Sequence, residues 1–406
     1  MSQAPVSIAP AAGSAQSTQS SLDHHVVGVA QASPSFVTSH RQHYGSRLNA
    51  SLLFLGALVG IAFVPSCDKK PDISADFSAS KAAESTLPTE GKITLNGSGS
   101  SFQTPFQQVA IEAFQRSHPT ITLNYAGGGS GRGRQQLADQ VVDFAGTDAA
   151  YHAEDLAKVK GGTILYFPLL LGPITISYNL AGVVGLRLSP DTIAKIFQRE
   201  ITKWNGPAIV ADNPGVKLPA SDIVVARRAD GSGTTENFTN YLEAAAPGTW
   251  KLKSGATVEW PHDTMAGPGN GGVAQIVKST SGAVGYVDLS DAKAAGLTFA
   301  AVKNSTGAYV QPTAESASAA GDGIEVQQNL VFSAINAKGA ASYPITYQTW
   351  LIVYAKQTNS TKGAALKEYI KYLLTDGQKL LPGLDYASLP QGLDGKALAQ
   401  LDEILK

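Results

Sequence analysis

The sequence predicts an α/β protein of two lobes with a ligand cleft between them, and three observations carry that expectation. Apolar β-branched runs are followed by glycine-rich turns and helical stretches at 93–116, 120–140 and 223–242. Repeated units of this kind imply a parallel sheet with ligands at the carboxyl ends of its strands. The apolar run at 163–180 reads as two buried strands, with the chain crossing between lobes near Pro173, and a second apolar run at 343–354 reads as the return crossing. The length of 406 residues, 43% hydrophobic and 16% charged, suffices for two ordinary domains with a sizeable core plus appendages.

Composition excludes several classes of function. A net charge of −1 gives no general basic face for nucleic acid or a membrane surface. Anion affinity would have to come from a local, preorganised pocket. The single cysteine excludes internal disulfides and cysteine-rich metal sites.

In chain order, residues 1–50 are rich in Ser, Ala, Gln and His without a hydrophobic period, and are expected to be disordered. Residues 51–67 hold an apolar run, Leu52 to Val64, too short to span a bilayer but suited to a signal-peptide core. It ends in Val64-Pro65-Ser66-Cys67, which resembles a bacterial lipobox with an unusual proline, and makes Cys67 the expected lipidation site. Residues 68–91 are polar and read as a flexible tether. The folded part is expected to divide into lobe I (92–174 and 343–406) and lobe II (175–342).

Three loops share one design. Gly97 to Phe102, Gly127 to Arg134 and Gly231 to Thr235 each follow a strand, carry hydroxyls, expose backbone N–H groups and open a helix. The third is the most informative. A strand delivers Arg228 beside the turn Asp230-Gly-Ser-Gly-Thr234, so a guanidinium fork and a helix N-terminus both favour an anion. A buried anion left unpaired would cost on the order of tens of kcal/mol by idealised desolvation estimates. Charged hydrogen bonds each return about 1.5–3 kcal/mol, so many donors must converge. Each loop taken singly is also explained as a tight connection whose hydroxyls cap a helix.

The segments Gly97-Ser-Gly-Ser-Ser-Phe102, Tyr125-Ala-Gly-Gly-Gly-Ser-Gly-Arg-Gly133, Val142-Asp-Phe-Ala-Gly-Thr-Asp148, Trp204-Asn205, Asn213-Pro-Gly-Val-Lys-Leu-Pro219, Arg228-Ala-Asp-Gly-Ser-Gly-Thr234, Gly282-Ala-Val-Gly-Tyr286 and Leu384-Asp-Tyr-Ala-Ser-Leu-Pro390 resemble the phosphate-binding proteins (PstS-type) of bacterial ABC phosphate importers. The resemblance runs from about Ile93 to the end of the chain. It implies a two-lobed periplasmic-binding-protein fold (type II) that closes over its ligand. The family's ligand contacts fall on Ser101, Phe102 (through its backbone N–H), Ser130, Asp148, Arg228, Ser232, Gly233 and Thr234. Ser101 keeps the hydroxyl of a position that is often threonine in the family. The implied partners are inorganic phosphate and permease subunits with their ATPase (PstA, PstC and PstB type). A lipid anchor at the membrane, an extracytoplasmic location and no cofactor, metal or nucleic acid complete the expectation.

Asp148 has a physical reason to stand in an anion site. Phosphate at neutral pH carries at least one O–H that a carboxylate can accept, whereas sulfate offers only lone pairs. A structural capping aspartate is the other reading. Asp230 either pairs with Arg228 or is a plain turn residue. Arg227 is expected to point the opposite way and be solvated, and Arg132 and Arg134 lie either at the cleft rim or on a solvated helix face. His118, His152 and His262 show no ligand spacing and read as surface residues. Gly267-Pro-Gly-Asn-Gly-Gly272 matches the spacing of a dinucleotide fingerprint, but Pro268 and the lack of a clear preceding strand argue against it. A phosphate-ester hydrolase would need a nucleophile, acid/base pair or metal cluster, and no convincing set is present, so no enzyme is expected. A receptor for sulfate, molybdate or tungstate is the nearer rival, and Asp148 speaks against it.

Overall fold

The computed structural model describes residues 91–404. The expected extension 1–50, the signal segment with Cys67, and all but the last residue of the tether lie outside the described residues. Three strand–helix units open the fold: β1 (Ile93–Gly99) with α1 (Thr104–Ser117), β2 (Ile121–Ala126) with α2 (Ser130–Ala138), and β3 (Phe144–Thr147) with the short α3 (Ala153–Leu156). The long β4 (Ile164–Tyr178) follows, then β5 (Arg187–Leu188), α4 (Pro190–Phe197) and α5 (Pro207–Asp212). A second set of units comprises β6 (Val224–Arg228) with α6 (Gly233–Ala245), β7 (Met265–Gly267) with α7 (Gly269–Ser279), and β8 (Ala283–Asp288) with α8 (Leu289–Ala294). Short strands β9 (Thr298–Phe299), β10 (Ala301–Lys303) and β11 (Tyr309–Val310) and helix α9 (Ala314–Gly321) precede β12 (Thr346–Tyr354). Helices α10 (Ser360–Leu374) and α11 (Leu393–Gln400) close the chain.

The main sheet has the order β2-β1-β3-β12-β4-β8-β6-β7. Its two ends are parallel, as expected: β1 pairs with β2 and β3, and β6 pairs with β7 and β8. The middle is not. β12 runs antiparallel to β3 and β4, and β4 antiparallel to β8, so the sheet is mixed rather than parallel throughout. Strand–turn–helix signals describe the ends, while a chain that crosses the molecule and returns must pair with itself in opposite directions.

The run at 163–180 is one strand of 15 residues, all buried, not two strands. Its two prolines do not end it. Partners change only after the second: Pro173 still faces Thr346 of β12, and Ile174 already faces Asp288 of β8. β4 thus belongs to a first half of the sheet (β2, β1, β3, β12) and then to a second half (β8, β6, β7).

Local chemistry explains where the site-bearing helices begin. Ser232 sits in extended backbone and its hydroxyl accepts from the Thr235 N–H, capping α6, while Glu236 adds negative charge to its first turn. Under α6, Phe238 stacks on Tyr286 with centroids 4.6 Å apart and Phe197 packs edge-on at 4.8 Å. The Tyr286 hydroxyl accepts from the Arg228 N–H at 3.0 Å and pairs with the Thr235 hydroxyl at 2.7 Å. Strand β6 and the start of α6 are therefore held in one register by a single buried phenol.

Candidate functional site

The carboxyl ends of β1, β3, β6 and β7, with the turn after β2, converge between the two halves of the sheet, where open α/β sheets place ligands. Arg228 is 3% exposed at the end of β6. Its Nε donates to Asp230 Oδ1 at 2.9 Å and its Nη2 to Asp230 Oδ2, a forked pair. Of the two readings for Asp230, the structure therefore takes the pairing one. Partial burial pushes the Asp230 carboxyl up, but the hydrogen bonds and charge of Arg228 and the Gly269 N–H outweigh it and hold the pKa below the usual range. The Arg228 Nη1 reaches the hydroxyl of Thr234 and the side-chain carbonyl of Asn270, each at 3.3 Å.

Across the cleft, Asp148 is almost fully buried. Oδ1 accepts from the Thr349 hydroxyl at 2.6 Å and Oδ2 from the Ser130 hydroxyl at 3.1 Å. The Asp148 N–H donates back to the Ser130 oxygen at 3.1 Å. Burial pushes the Asp148 carboxyl above its ordinary value, while the hydroxyls of Ser100, Thr349 and Ser130 and the charge of Arg228 pull the other way. Asp148 caps none of the described helices; hydroxyls hold both of its oxygens.

The two sides meet closely. A Cβ on Gly233 would fall on the Ser130 hydroxyl and the Asp148 side chain, and one on Gly129, where φ is +92°, would fall on Asp230 and the Gly231 carbonyl. Glycine at both positions lets the loops approach to backbone contact. The Gly131 N–H then donates to the Gly231 carbonyl at 3.0 Å, and the Asn237 amide to the Asp148 carbonyl at 2.7 Å.

All eight residues expected to hold the ligand belong to these converging loops. Ser101 alone is half exposed, and its hydroxyl accepts from the Asn270 N–H at 3.3 Å. Phe102 is buried, stacked on Tyr347 at 4.1 Å, with its carbonyl bonded to the Tyr386 hydroxyl at 2.8 Å. Ser232 and Thr234 keep their hydroxyl protons for donation, since each oxygen is already an acceptor, from Thr235 and Arg228 respectively. The first N–H groups of α2 and α6 have no partner within their helices. The arrangement presents the Arg228 guanidinium, paired with Asp230, together with several hydroxyls and helix starts, against one further carboxylate, that of Asp148. It suits a tetrahedral anion that carries a proton.

Two contributors escaped sequence reasoning. Thr349 lies in the apolar run of β12, and its hydroxyl links the Gln103 amide, at 2.5 Å, to Asp148. A polar pair, Gln348-Thr349, inside a fully buried strand was the available signal. Asn270 sits at the start of α7, in the motif discounted as a nucleotide fingerprint. A short strand, β7, does precede that motif, and its helix start joins the site through Asp230, Arg228 and Ser101. The Asn270 amide nitrogen is buried without a protein partner.

Two expectations on arginines need correction. Arg227 is half-buried, with its guanidinium bonded to Thr264 and to the Arg228 carbonyl, because the β6–β7 edge supplies acceptors where solvent was expected. Arg134 lies neither at a rim nor on a solvated face. It is 9% exposed and ion-paired with Glu236.

A family model described as a PBP superfamily domain matches residues 80–377. The chain is 33% identical over 327 residues to the phosphate-binding protein PstS of Xylella fastidiosa, covering 77% of this chain and 87% of that one. It is also 33% identical over 362 residues to the phosphate-binding protein PstS 3 of Mycobacterium leprae, covering 86% and 97%. Among solved structures, a high-affinity periplasmic phosphate-binding protein bound with phosphate superposes with a TM-score of 0.65 at 20% identity, covering 76% of this chain and 94% of that one. That likeness carries the expected two-lobed periplasmic-binding-protein fold (type II). The chain belongs to the PBP superfamily and, within it, to the PstS family of phosphate-binding proteins.

Proposed function

We propose that the chain is an extracytoplasmic receptor that binds inorganic phosphate between its lobes and delivers it to the permease of an ABC importer. Ser101, the Phe102 N–H, Ser130, Arg228, Ser232, Gly233 and Thr234 serve as donors, and Asp148 serves as the acceptor. The lobes are 92–174 with 343–406, and 175–342, hinged where β4 and β12 cross. Partners of the PstA, PstC and PstB type receive the ligand, and Cys67 anchors the protein to the membrane through a lipid. Relatives named phosphate-binding proteins support this reading.

The observation that carries it is the buried Asp148 facing a donor-rich cleft. Arg228 and the helix starts attract any oxyanion. Only an anion that keeps an O–H gives Asp148 something to accept. The acid therefore acts by exclusion: sulfate, molybdate and tungstate would meet it with lone pairs alone. Phosphate supplies the missing proton, so the carboxylate that faces Arg228 from across the cleft becomes a hydrogen-bond partner.

Calorimetric titration tests the proposal. One equivalent of phosphate bound tightly to purified protein is expected. Absence of a binding isotherm with phosphate would overturn it. Release of p-nitrophenol from its phosphate ester by the same protein would point to a hydrolase instead.

A further inference from the structure

Glu236 carries the inference, and its environment is unusual for a residue outside the anion site. It stands in the first turn of α6, in the second half of the sheet, with its side chain 4% exposed. Both carboxylate oxygens are bonded across the cleft. Oε2 accepts from Arg134 Nη2 at 3.1 Å, and Oε1 pairs with His152 Nε2 at 3.0 Å. Arg134 is aimed by its own side of the molecule, since its Nη1 donates to the Thr147 hydroxyl at 3.2 Å and to the Ala149 carbonyl at 3.0 Å. Thr147 is the neighbour of Asp148 and Glu236 lies two residues beyond Thr234, so the ion pair flanks the anion site directly.

From this geometry we infer that Glu236, Arg134 and His152 form a latch that exists only when the cleft is closed and that slows ligand release. They are positioning residues and do not touch the ligand. The inference rests on the proposed phosphate receptor, because it needs a cleft that opens and closes. In an open cleft Glu236 loses both partners and returns to water, at little desolvation cost on a helix surface. In the closed cleft it is buried with both oxygens satisfied and a positive partner aimed at it. Removing one partner leaves the other charge buried and unpaired, which penalises the closed state alone. The adjoining contacts Gly131–Gly231 and Asn237–Asp148 close in the same movement, so the latch acts on a surface already complementary.

A double-mutant cycle read on ligand kinetics tests this. Wild-type protein, Arg134→Met, Glu236→Gln and the double variant are compared by stopped-flow binding of inorganic phosphate and by thermal melting without ligand. Each single variant is expected to bind about tenfold more weakly (about 1.4 kcal/mol), with the change in the dissociation rate. The double variant should lose no more than either single, which is the sign of direct coupling. Ligand-free melting should show no coupling between the two positions, a result that a merely structural ion pair would not give. His152→Ala should speed release less, because its partner remains engaged with Arg134. Additive losses, unchanged dissociation, or coupling already present without ligand would overturn the latch while leaving phosphate binding intact. Wild-type protein that binds no phosphate would overturn the proposed function, and the latch with it.

Discussion

Replacing Asp148 by asparagine is the perturbation that separates attraction from selection at this site. The aspartate is almost fully buried and its two oxygens accept from Thr349 and Ser130. Two unit charges about 4 Å apart repel by about 4 kcal/mol at an effective dielectric of about 20. That corresponds to roughly a thousandfold in Kd against an oxyanion without a proton. The substitution leaves the surrounding hydroxyls satisfied, since either can rotate to accept from an amide, and the Thr349 hydroxyl also lies 3.2 Å from the Thr147 carbonyl. Asp148→Asn should therefore fold, bind phosphate somewhat less tightly, and gain sulfate binding. The ratio of sulfate to phosphate Kd, measured by calorimetry, should collapse from roughly a thousandfold to about tenfold or less. If sulfate stays excluded from Asp148→Asn, discrimination does not lie in that charge and the reasoning fails.

Other outcomes follow from the same geometry. Arg228→Ala should weaken phosphate binding by at least about 2 kcal/mol, as for a lost charged hydrogen-bond donor, and normal binding would mean the site lies elsewhere. Gly233→Ala should weaken phosphate binding by about 1–3 kcal/mol through overpacking against Ser130 and Asp148; equal affinity in a titration would contradict the close approach. The pKa of Asp148 is raised on folding, so its contribution to the ligand-free protein is fully present below the unfolded value of about 3.9 and is lost as pH rises through the raised one. Asp230 has the opposite sign: its contribution is present above that value and is lost as pH falls through its lowered pKa. Melting curves from pH 3 to 8 should accordingly show a loss of stability as pH rises from about 3.9 through the raised pKa, which Asp148→Asn removes, and a curve unchanged by the substitution would refute the assignment.

Much of this site could be read from the sequence because its parts are local. A strand end, a small-residue turn and a capped helix are contiguous in Arg228 to Phe238, and each follows from residues a few positions apart. The same holds for the loops at Ser101 and Ser130. What stayed hidden depends on distant pairing. Thr349 meets Asp148 only because β12 lies antiparallel to β3, with Trp350 opposite Thr147, and no local period announces that register. Arg134 looks like one charge among several on a polar helix until α6 brings Glu236 to it from 102 positions away. Asn270 lies in a motif set aside for Pro268 and for the lack of a clear preceding strand, and the strand that does precede it is only three residues long. β4 read as two strands because its interior glycine and prolines are turn signals, yet buried neighbours on both sides hold it extended.

The most direct test is a calorimetric titration of wild-type protein with phosphate in the presence of a large excess of sulfate. The account predicts one tight site for phosphate at which sulfate competes only at concentrations roughly a thousandfold above the phosphate Kd, with ionic strength matched by chloride. Competition by sulfate at concentrations within about tenfold of the phosphate Kd would show the two anions held alike, and would contradict the claim that Asp148 decides which oxyanion stays.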